Sequence, residues 1–405
     1  MKMKEVYLDY AASTPVDPRV EEAMKPYLGG VFGNPHSMHR FGQKASRAVF
    51  ESRKAIAESI GAHYEDIIFT GSATEANNLA IRGLVSGVLA SRKFSKPRII
   101  TLAIEHESIL STCQALSLNV ETIFIPVDKN GFVNLKKFKE ALNDQTVLVS
   151  IMHANNEVGT IQPIAAIAAE IRNWKLEIKS DLFPIFHTDA AQSFQYLDCQ
   201  VENLGVDLMT LSAHKIYGPK GIGLLYAGKN AREIMKPVIT GAGQEGGLRS
   251  GTDNVPYIVA FAKAVEIADK LREKESRRIG ELRDYFWVKL EKALGLKKVV
   301  LNGVMRDRLP NNLNLYFLKQ KAHDLLIKLD LLGIAVSPGA ACSARVAKAS
   351  YVLEELGFSE ARASGSLRFS LGRQTSKDDI DYVISATCTS LIKTKRDGII
   401  KVLDR

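Results

Sequence analysis

The chain alternates between two hydrophobic patterns from about residue 45 to residue 226. Apolar positions three and four residues apart predict amphipathic helices, among them 45–60 and 73–89. Short runs of β-branched and other apolar residues predict the strands 66–70, 98–102, 121–125, 147–151, 184–187, 207–211 and 222–226. Because helices and strands alternate, the pattern predicts an α/β fold in which helices cover a mostly parallel, seven-stranded sheet.

The pattern changes after a glycine-rich stretch at 241–247. A long, charged amphipathic helix follows, which begins near Ile258 after Pro256 and runs towards Leu294. Beyond it the predicted elements are strands at 312–318 and 366–371 and helices at 323–331, 350–356 and 377–392. These fewer and shorter elements predict a second, smaller α+β domain, which the long helix joins to the first.

The length and composition agree with two globular domains. A chain of 405 residues exceeds the size at which a single hydrophobic core stops growing. Hydrophobic residues make up 46% of the chain and charged residues 24%, which is ordinary for globular proteins. Each domain can therefore bury a substantial core of its own.

The sequence also indicates the cellular compartment in which the protein is expected. No segment approaches the roughly twenty apolar residues of a membrane span, and no sustained apolar stretch follows the first residues. The four cysteines are too few and too widely spaced for a disulfide framework or a C-x-x-C metal site. We therefore expect a soluble, unexported protein of the cytoplasm, without a bound metal and without a membrane partner.

The formal charge of +9 comes from Lys and Arg residues scattered along the whole chain. This balance fits a solvated basic surface, and it fits equally an attraction to anionic ligands or to an acidic partner. No nucleic-acid-binding motif accompanies the charge. Nucleic acid is therefore not expected as a partner.

A lysine follows the predicted strand 207–211 in a polar turn that contains Ser212, His214 and Lys215. A lysine held against protein at the end of a strand can form a Schiff base with an aldehyde cofactor. The spacing of the neighbouring glycines excludes a Walker phosphate loop. A lysine in a glycine-rich turn can also be simply exposed to solvent, so both interpretations stay open for Lys215 taken alone.

Asp189 and Gln192 follow the predicted strand 184–187. An enzyme that uses pyridoxal phosphate needs a carboxylate beside the pyridine nitrogen, because the protonated ring is the better electron sink. Asp189 suits that role, and Gln192 can donate a hydrogen bond to the phenolic oxygen of the cofactor. Asp189 also suits the cap of a following helix, which is a common structural task for aspartate.

Three further strand ends carry residues that can bind a ligand. Ala73 and Thr74 open a helix whose free N–H groups favour a phosphate, although threonine near a helix start is also common for structural reasons. His106 follows the next strand, where an imidazole can stack on a planar ring, transfer protons or serve the structure alone. Asn156 follows another strand. Because such strand ends share one edge of an open α/β sheet, we expect these residues to surround a single crevice.

The predicted second domain supplies two candidates for chemistry. Cys342 lies in a run of small residues, where the exposure that a thiolate nucleophile needs is expected, although a small buried cysteine is the common alternative. Arg368 lies among apolar residues of the predicted strand 366–371. A guanidinium in that position suggests a bidentate grip on a carboxylate.

Several segments, in order along the chain, resemble those of the cysteine desulfurases, the family of bacterial iron–sulfur-cluster and nitrogen-fixation enzymes. The matching segments are 7–12, 33–35, 70–75, 105–106, 155–159, 189–193, 213–221, 249–252, 339–343 and 368–372. The run His-Lys-Ile-Tyr-Gly-Pro-Lys-Gly at 214–221 is the most specific of them. The resemblance covers residues 7 to about 373.

The resemblance implies the aspartate-aminotransferase fold, which is fold type I of the pyridoxal-phosphate enzymes. It also implies a homodimer whose active sites lie near the subunit interface. The first residues would join the small domain. The large cofactor-binding domain would then span 16–257, and the small domain with the cysteine loop would comprise 1–15 and 258–405.

Carried over position by position, the resemblance gives each candidate residue a role. Lys215 is implied as the Schiff-base lysine, and His106 as the imidazole that stacks on the ring and transfers protons. The other implied cofactor contacts are Ala73, Thr74, Asn156, Asp189, Gln192, Ser212 and His214, with Thr252 reaching the phosphate from the partner subunit. The implied contacts of the substrate carboxylate are Asn34, Asn156 and Arg368.

The reaction implied by the resemblance converts L-cysteine into L-alanine and leaves the sulfur on Cys342 as a persulfide. A sulfur-acceptor protein, such as an iron–sulfur scaffold, is then expected as a partner. A selenocysteine lyase and an aminotransferase for small amino acids share the same fold and stay open as alternatives. A relative without catalysis that serves as a binding platform is the alternative from another class.

Overall fold

A seven-stranded sheet forms the centre of the fold. The computed structural model describes residues 4–339 and 349–391, so Cys342 lies outside the described residues. The strands are β1 Val6–Tyr7, β2 Ile67–Thr70, β3 Arg98–Leu102, β4 Glu121–Ile125, β5 Thr146–Ser150, β6 Ile185–Asp189, β7 Leu208–Ser212, β8 Gly223–Ala227, β9 Val299–Leu301, β10 Asn312–Phe317, β11 Ile334–Ala335 and β12 Ser366–Ser370.

Helices surround this sheet and a second sheet of three strands. They are α1 Pro18–Leu28, α2 Arg40–Ile60, α3 Ala73–Asn78, α4 Leu84–Ser91, α5 Glu107–Ala115, α6 Leu135–Ala141, α7 Ile164–Glu177, α8 Val201–Leu204, α9 Lys229–Ile234, α10 Val255–Leu294, α11 Ala322–Asp330, α12 Tyr351–Glu355, α13 Glu360–Ser364 and α14 Lys377–Leu391. A π-helical turn, Leu79–Gly83, joins α3 to α4. The helix predicted over 73–89 is therefore one continuous helix with a wide turn in its middle.

The strand order of the large sheet is β2-β8-β7-β6-β5-β3-β4. β8 is antiparallel to both of its neighbours, β2 and β7, and the remaining pairs are parallel. The prediction of a mostly parallel, seven-stranded sheet is confirmed. The arrangement brings the carboxyl ends of β2, β3, β5, β6 and β7 to the same edge, because these five strands run in the same direction.

The central strands are apolar on both faces because helices cover both sides of the sheet. Successive residues point to opposite faces, so Ile99 and Ile100 pack into different hydrophobic clusters, as do Leu208 and Met209. One cluster includes residues of α2, α7 and the first part of α10, and the other includes residues of α3, α4, α5 and α9. Burial on both faces makes the sheet a rigid support for the edge at which the carboxyl ends of these strands meet.

The long helix α10 contributes to two cores. Its first part packs with the large sheet, whereas Ile279, Phe286 and Leu290 belong to a third cluster formed with β10, β12 and α14. The helix begins at Val255, a few residues before the predicted start. Pro256 lies in its first turn, where the missing N–H would have had no helical partner in any case.

The third cluster belongs to a three-stranded antiparallel sheet of order β12-β10-β9. Val6 and Leu8, from the start of the chain, also pack there, and β1 pairs with β11 in parallel. The division into 16–257 on one side and 1–15 with 258–405 on the other stays a prediction. Across the ranges 4–339 and 349–391, none of the helices combines the length and the apolarity required to cross a membrane.

Candidate active site

A cavity of about 220 Å³ lies at the edge where the carboxyl ends of the parallel strands meet. It contains most of the residues that the sequence singles out. Those predicted residues are Ala73, Thr74, His106, Asn156, Asp189, Gln192, Ser212, His214, Lys215 and Arg368. The remaining lining residues are Ala11, Ala12, Ser72, Asn77, Ser108, Met152, Ala154 and Ala191. The expected convergence of strand ends on one crevice is therefore present.

Several of these side chains are positioned at the cavity by the strands that they end or follow. Asp189 is the last residue of β6 and Ser212 the last residue of β7. Lys215 ends a short 3-10 turn directly after β7, and His106 lies just beyond β3 at the start of α5. Each functional group is thus attached to the end of a rigid, buried strand, which is how a precise constellation is held.

The Lys215 amine contacts the amino-terminal segment of the chain. Its Nζ donates to the carbonyl oxygens of Ala11 at 2.5 Å and of Ala12 at 2.8 Å. The Ala11 carbonyl also accepts from Nε2 of Gln192 at 3.0 Å. Two carbonyls therefore hold the amine at the wall of the cavity, although the segment that supplies them is about two hundred residues away in sequence.

The Asp189 carboxylate has a hydrogen-bond donor at each oxygen. Oδ1 accepts from the backbone N–H of Ala191 at 2.9 Å, and Oδ2 accepts from Nδ2 of Asn77 at 2.8 Å. The two donors hold the carboxylate in one orientation at the cavity wall. Each oxygen keeps a further lone pair, with which Asp189 can accept a hydrogen bond from a ligand.

His106 caps helix α5 and is half-buried. Its Nδ1 accepts from the backbone N–H of Ser108 at 3.1 Å and lies 2.8 Å from the Ser108 Oγ. Burial is the main cause that lowers the pKa of His106; the negative charge of Asp189 opposes this effect, and the positive charge of Lys215 reinforces it. The imidazole is therefore neutral near pH 7 and carries its proton on Nε2, since Nδ1 is the acceptor.

The start of α3 forms another wall of the cavity. Ser72 caps the helix, because its Oγ accepts from the backbone N–H of Glu75 at 3.1 Å. Strand β8 approaches this turn so closely that a Cβ at Gly223 would lie 2.5 Å from the Ser72 carbonyl carbon and 2.7 Å from the Ala73 nitrogen. Only glycine permits this contact, which fixes Ala73 and Thr74 at the cavity.

His214 lies in the turn directly after β7, lines the cavity and is neutral near pH 7. Burial lowers its pKa to about 4, and the positive charges of Lys215 and Lys220 act in the same direction. A neutral imidazole beside Ser212 and Lys215 can donate or accept one hydrogen bond. It can therefore contact an anionic group without adding charge of its own.

Arg368 is a fully buried cation, with 1% of its surface exposed. Its Nη2 donates to Oδ1 of Asp9 at 2.7 Å, and its Nη1 donates to the backbone oxygen of Asn156 at 2.9 Å. Its Nε has no hydrogen-bond partner among the described residues. A buried guanidinium whose Nε–H is unused at a cavity wall is suited to an anionic ligand.

Two predicted residues lie outside this cavity. Asn34 and Thr252 are both exposed, and Asn34 Oδ1 accepts from the backbone N–H of His36 at 3.0 Å. The two segments meet at the surface, where His36 Nε2 lies 3.2 Å from Oδ2 of Asp253. Within one chain, neither side chain lines the cavity around Lys215.

Sequence reasoning missed three polar residues that line the cavity, namely the helix cap Ser72 and the two residues Asn77 and Ser108. Asn77 is fully buried and lies one helical turn after Thr74, so the helical repeat alone places it on the same face. Ser108 is two residues beyond His106, in the first turn of α5. Both could have been found by extending each candidate by one turn of its helix.

The thiols in the described part of the chain are poor nucleophiles. Burial raises the pKa of Cys113 and of Cys199 to about 12, and it also raises the pKa of Cys388. A thiol that stays protonated near pH 7 neither attacks a substrate nor binds a metal. Cys342 lies outside the described residues.

The sequence of this chain is similar to known proteins along nearly its whole length. The model of the aminotransferase class-V family matches residues 6–383. A cysteine desulfurase IscS from Dictyoglomus turgidum is 44% identical over 382 residues, which are 94% of this chain and 93% of that protein. A cysteine desulfurase IscS from Rickettsia africae is 41% identical over 392 residues, or 96% of this chain and 92% of the relative.

Solved structures resemble the fold closely. A NifS-like protein superposes with a TM-score of 0.86 and 34% sequence identity, covering 95% of this chain and 99% of that one. A structure described as SspA in complex with cysteine superposes with a TM-score of 0.76 and 36% identity, covering 90% and 98% of the two chains.

Proposed function

The chain belongs to the aminotransferase class-V family, and we propose that it is a pyridoxal-phosphate-dependent cysteine desulfurase with Cys342 as the sulfur acceptor. The observation that carries this proposal is the shared cavity of Lys215, Asp189, His106 and Arg368. An amine, a carboxylate, a neutral imidazole and a buried guanidinium are together the groups that this chemistry requires. The reaction would convert L-cysteine into L-alanine.

The residues of the cavity fit pyridoxal phosphate. When bound, the cofactor draws electrons from the substrate α-carbon into its ring. Lys215 would hold its aldehyde carbon, Asp189 would accept a hydrogen bond from its protonated pyridine nitrogen, and the His106 ring would lie against its face. Gln192 and Asn156 would contact the ring substituents, and the donors for the phosphate would be Ala73, Thr74, Ser212 and His214.

Arg368 and Asn156 are the proposed contacts of the substrate carboxylate. The unused Nε of Arg368 supports this role, because a bound carboxylate would supply the missing hydrogen-bond acceptor. Asn156 adjoins the guanidinium through its own backbone oxygen. Its side chain, at the same cavity wall, would then select the orientation in which the α-carbon faces Lys215.

The residues that flank the segment of Cys342 are attached beside the cavity, which supports its proposed role. On one side, a Cβ at Gly339 would lie 3.0 Å from Oε2 of Glu157. On the other side, Ser350 donates to the same Glu157 oxygen, and the Tyr351 hydroxyl donates to the backbone oxygen of Glu105. Glu157 and Glu105 are direct neighbours of the site residues Asn156 and His106.

In the proposed sulfur transfer, the Cys342 thiolate attacks the sulfur of the substrate. A sulfur–sulfur bond forms and the carbon–sulfur bond breaks, with its electron pair left on the carbon side. Protonation of that carbon gives L-alanine, and the enzyme keeps a persulfide. His106 carries a proton on Nε2 and is therefore suited to donate it within the cavity.

A homodimer is the proposed assembly. The exposed positions of Asn34 and Thr252 support it, since both side chains would be free to complete the cavity of a second copy. Apolar side chains are exposed beside Asn34, namely Phe32 at 70%, Met38 at 92% and Phe41 at 56%. A cluster of large exposed hydrophobic groups is typical of a surface that a partner covers.

The proposed setting of the reaction is the cytoplasm, where reduced thiols persist. A sulfur-acceptor protein, such as an iron–sulfur scaffold, would take the persulfide sulfur. The net positive charge of +9 would favour an acidic acceptor.

The proposed function is tested by supplying the purified protein with pyridoxal phosphate, L-cysteine and a thiol reductant, and by measuring alanine and sulfide. We expect the wild type to form both products in equal amounts. Cys342→Ala should retain the visible absorbance of the bound cofactor and lose sulfide formation. Cys388→Ala, which removes a thiol with a raised pKa, is the matched control and should keep full activity. Equal sulfide formation by Cys342→Ala and the wild type would contradict the role of Cys342.

A further inference from the structure

Asn77 connects the two groups that would contact the cofactor ring. Its Nδ2 donates to Oδ2 of Asp189 at 2.8 Å and to the Oγ of Ser108, also at 2.8 Å. The Ser108 Oγ lies 2.8 Å from Nδ1 of His106. A continuous chain of hydrogen bonds therefore runs from the carboxylate through Asn77 and Ser108 to the imidazole.

The direction of each hydrogen bond in this chain is determined by its partners. Both oxygens of the Asp189 carboxylate accept hydrogen bonds, and the amide nitrogen of Asn77 is the donor that faces Oδ2. The second N–H of that nitrogen occupies a lone pair of the Ser108 oxygen. The Ser108 hydroxyl proton is then available for Nδ1 of His106, which already accepts from the Ser108 backbone.

Asn77 also joins three separate parts of the fold. Its own helix α3 begins with Ala73 and Thr74 at the cavity, Asp189 ends strand β6, and Ser108 lies in α5. The π-helical turn Leu79–Gly83 begins two residues after Asn77. Such turns are often found where a helix carries a functional side chain.

We propose that Asn77 is a positioning residue of this site, which orients the Asp189 carboxylate towards the cofactor ring and, through Ser108, holds the His106 imidazole beside it. The inference rests on the proposed function, because it assigns Asp189 and His106 to a bound pyridoxal phosphate. Asn77 itself is not assigned to the reacting atoms. It acts by limiting the orientations of the two groups that contact the ring.

The unpaired oxygen of Asn77 argues against a role of this side chain in packing alone. Asn77 is fully buried, and its Oδ1 has no hydrogen-bond partner among the described residues. A buried acceptor without a partner destabilises the fold, and an apolar side chain would remove this cost. The amide at this position is therefore explained by the two hydrogen bonds that its nitrogen donates, to Asp189 and to Ser108.

The test uses Asn77→Leu and Asn77→Ala, prepared without cofactor and then titrated with pyridoxal phosphate. We expect both apoproteins to remain folded but to unfold below the wild-type temperature, because Asp189 and Ser108 each lose a donor, and to bind the cofactor about tenfold more weakly. With L-cysteine, kcat should fall by about tenfold or more while KM changes little, because Arg368 is intact. The visible absorbance of the bound cofactor should also differ from that of the wild type.

The controls separate this inference from the proposed function. Asn78→Leu alters the neighbouring asparagine, which does not line the cavity, and should bind the cofactor within about twofold of the wild type. Ser108→Ala should weaken binding as well, and its effect should not add fully to that of Asn77→Ala if both act in one chain. A wild type that fails to bind the cofactor would overturn the proposed function. Wild-type affinity and kcat in both Asn77 variants would overturn the role of Asn77.

Discussion

Arg368 and Asp9 form a buried ion pair, with Nη2 of the guanidinium 2.7 Å from Oδ1 of the carboxylate. The pair joins strand β12 to the amino-terminal segment that also supplies the Ala11 and Ala12 carbonyls for Lys215. Asp9 compensates the charge of a fully buried cation, and the Nε of Arg368 stays unused. The substrate carboxylate would therefore share the guanidinium with Asp9 and would not have to displace it.

Arg368→Lys should raise KM for L-cysteine by about tenfold or more and change kcat less. An ammonium group is a point donor and cannot reproduce a bidentate contact in the plane of a carboxylate while it also contacts Asp9. The measurement is the initial rate of alanine formation over a range of L-cysteine concentrations. Arg306→Lys, at an exposed position, is the matched control and should have no effect. An unchanged KM in Arg368→Lys would show that another group binds the carboxylate.

Lys215 should carry the cofactor covalently. Borohydride reduction of the wild-type protein loaded with pyridoxal phosphate should add the mass of the reduced cofactor to the peptide that contains Lys215. Lys215→Ala should lose this modification and the visible absorbance, because no other described amine lines the cavity. Lys220→Ala, an exposed lysine of the same segment, should keep both. Modification of another lysine by mass spectrometry would contradict the assignment.

The apolar pattern predicted the interior of the strands better than their functional ends. Strands 98–102 and 121–125 were predicted with their observed bounds. Strands β6 and β7 extend further than predicted, because their last residues, Asp189 and Ser212, are polar and face the cavity. A polar residue at a strand end has the sequence signature of a loop. At β6 and β7 the hydrophobic pattern therefore ends the strand too early, whereas at β5 the predicted end, residue 151, lies one residue beyond the observed end.

The part of the site that sequence could not reveal is built from backbone groups and from contacts distant in sequence. The carbonyls of Ala11 and Ala12 that contact Lys215 have no side-chain signature at all. The insertion of antiparallel β8 between β2 and β7 likewise depends on pairing between distant segments. Motif spacing identified the groups on strand ends because each one follows its own strand directly.

Glu245→Gln should destabilise the protein by about 3 kcal/mol. The Glu245 carboxylate is nearly buried and receives both terminal nitrogens of Arg53, at 2.6 and 2.7 Å, as well as the backbone N–H of Phe69 at 2.9 Å. Removal of the negative charge would leave a buried guanidinium unpaired. The contact also ties the glycine-rich stretch 241–247, which precedes Thr252, to strand β2.

The measurement for this prediction is the free energy of unfolding from urea titration. Glu140→Gln is the matched control, because Glu140 forms an exposed ion pair with Lys136. Such a pair contributes less than about 1 kcal/mol. Equal stability losses in the two variants would contradict the view that burial decides the strength of these ion pairs.

Two buried histidines below the active site should make the fold sensitive to acid. Burial lowers the pKa of both His153 and His187 to about 4, from an ordinary value of 6.5. Between these values the unfolded chain binds protons that the folded protein does not, so the stability present above pH 6.5 falls as the pH drops towards 4. Each histidine should account for about 3 kcal/mol of this loss.

His153→Leu isolates one of these contributions, and urea unfolding at pH 7 and at pH 4.5 measures it. The variant should lose less stability than the wild type between the two pH values, because its buried position no longer has a group that must stay neutral. Comparison with the wild type cancels buried carboxyls such as Glu105, whose pKa is raised by burial and whose effect has the opposite sign. His323→Gln, at an exposed position, should leave the pH dependence unchanged. If His153→Leu loses as much stability as the wild type, proton uptake by His153 does not drive the acid unfolding.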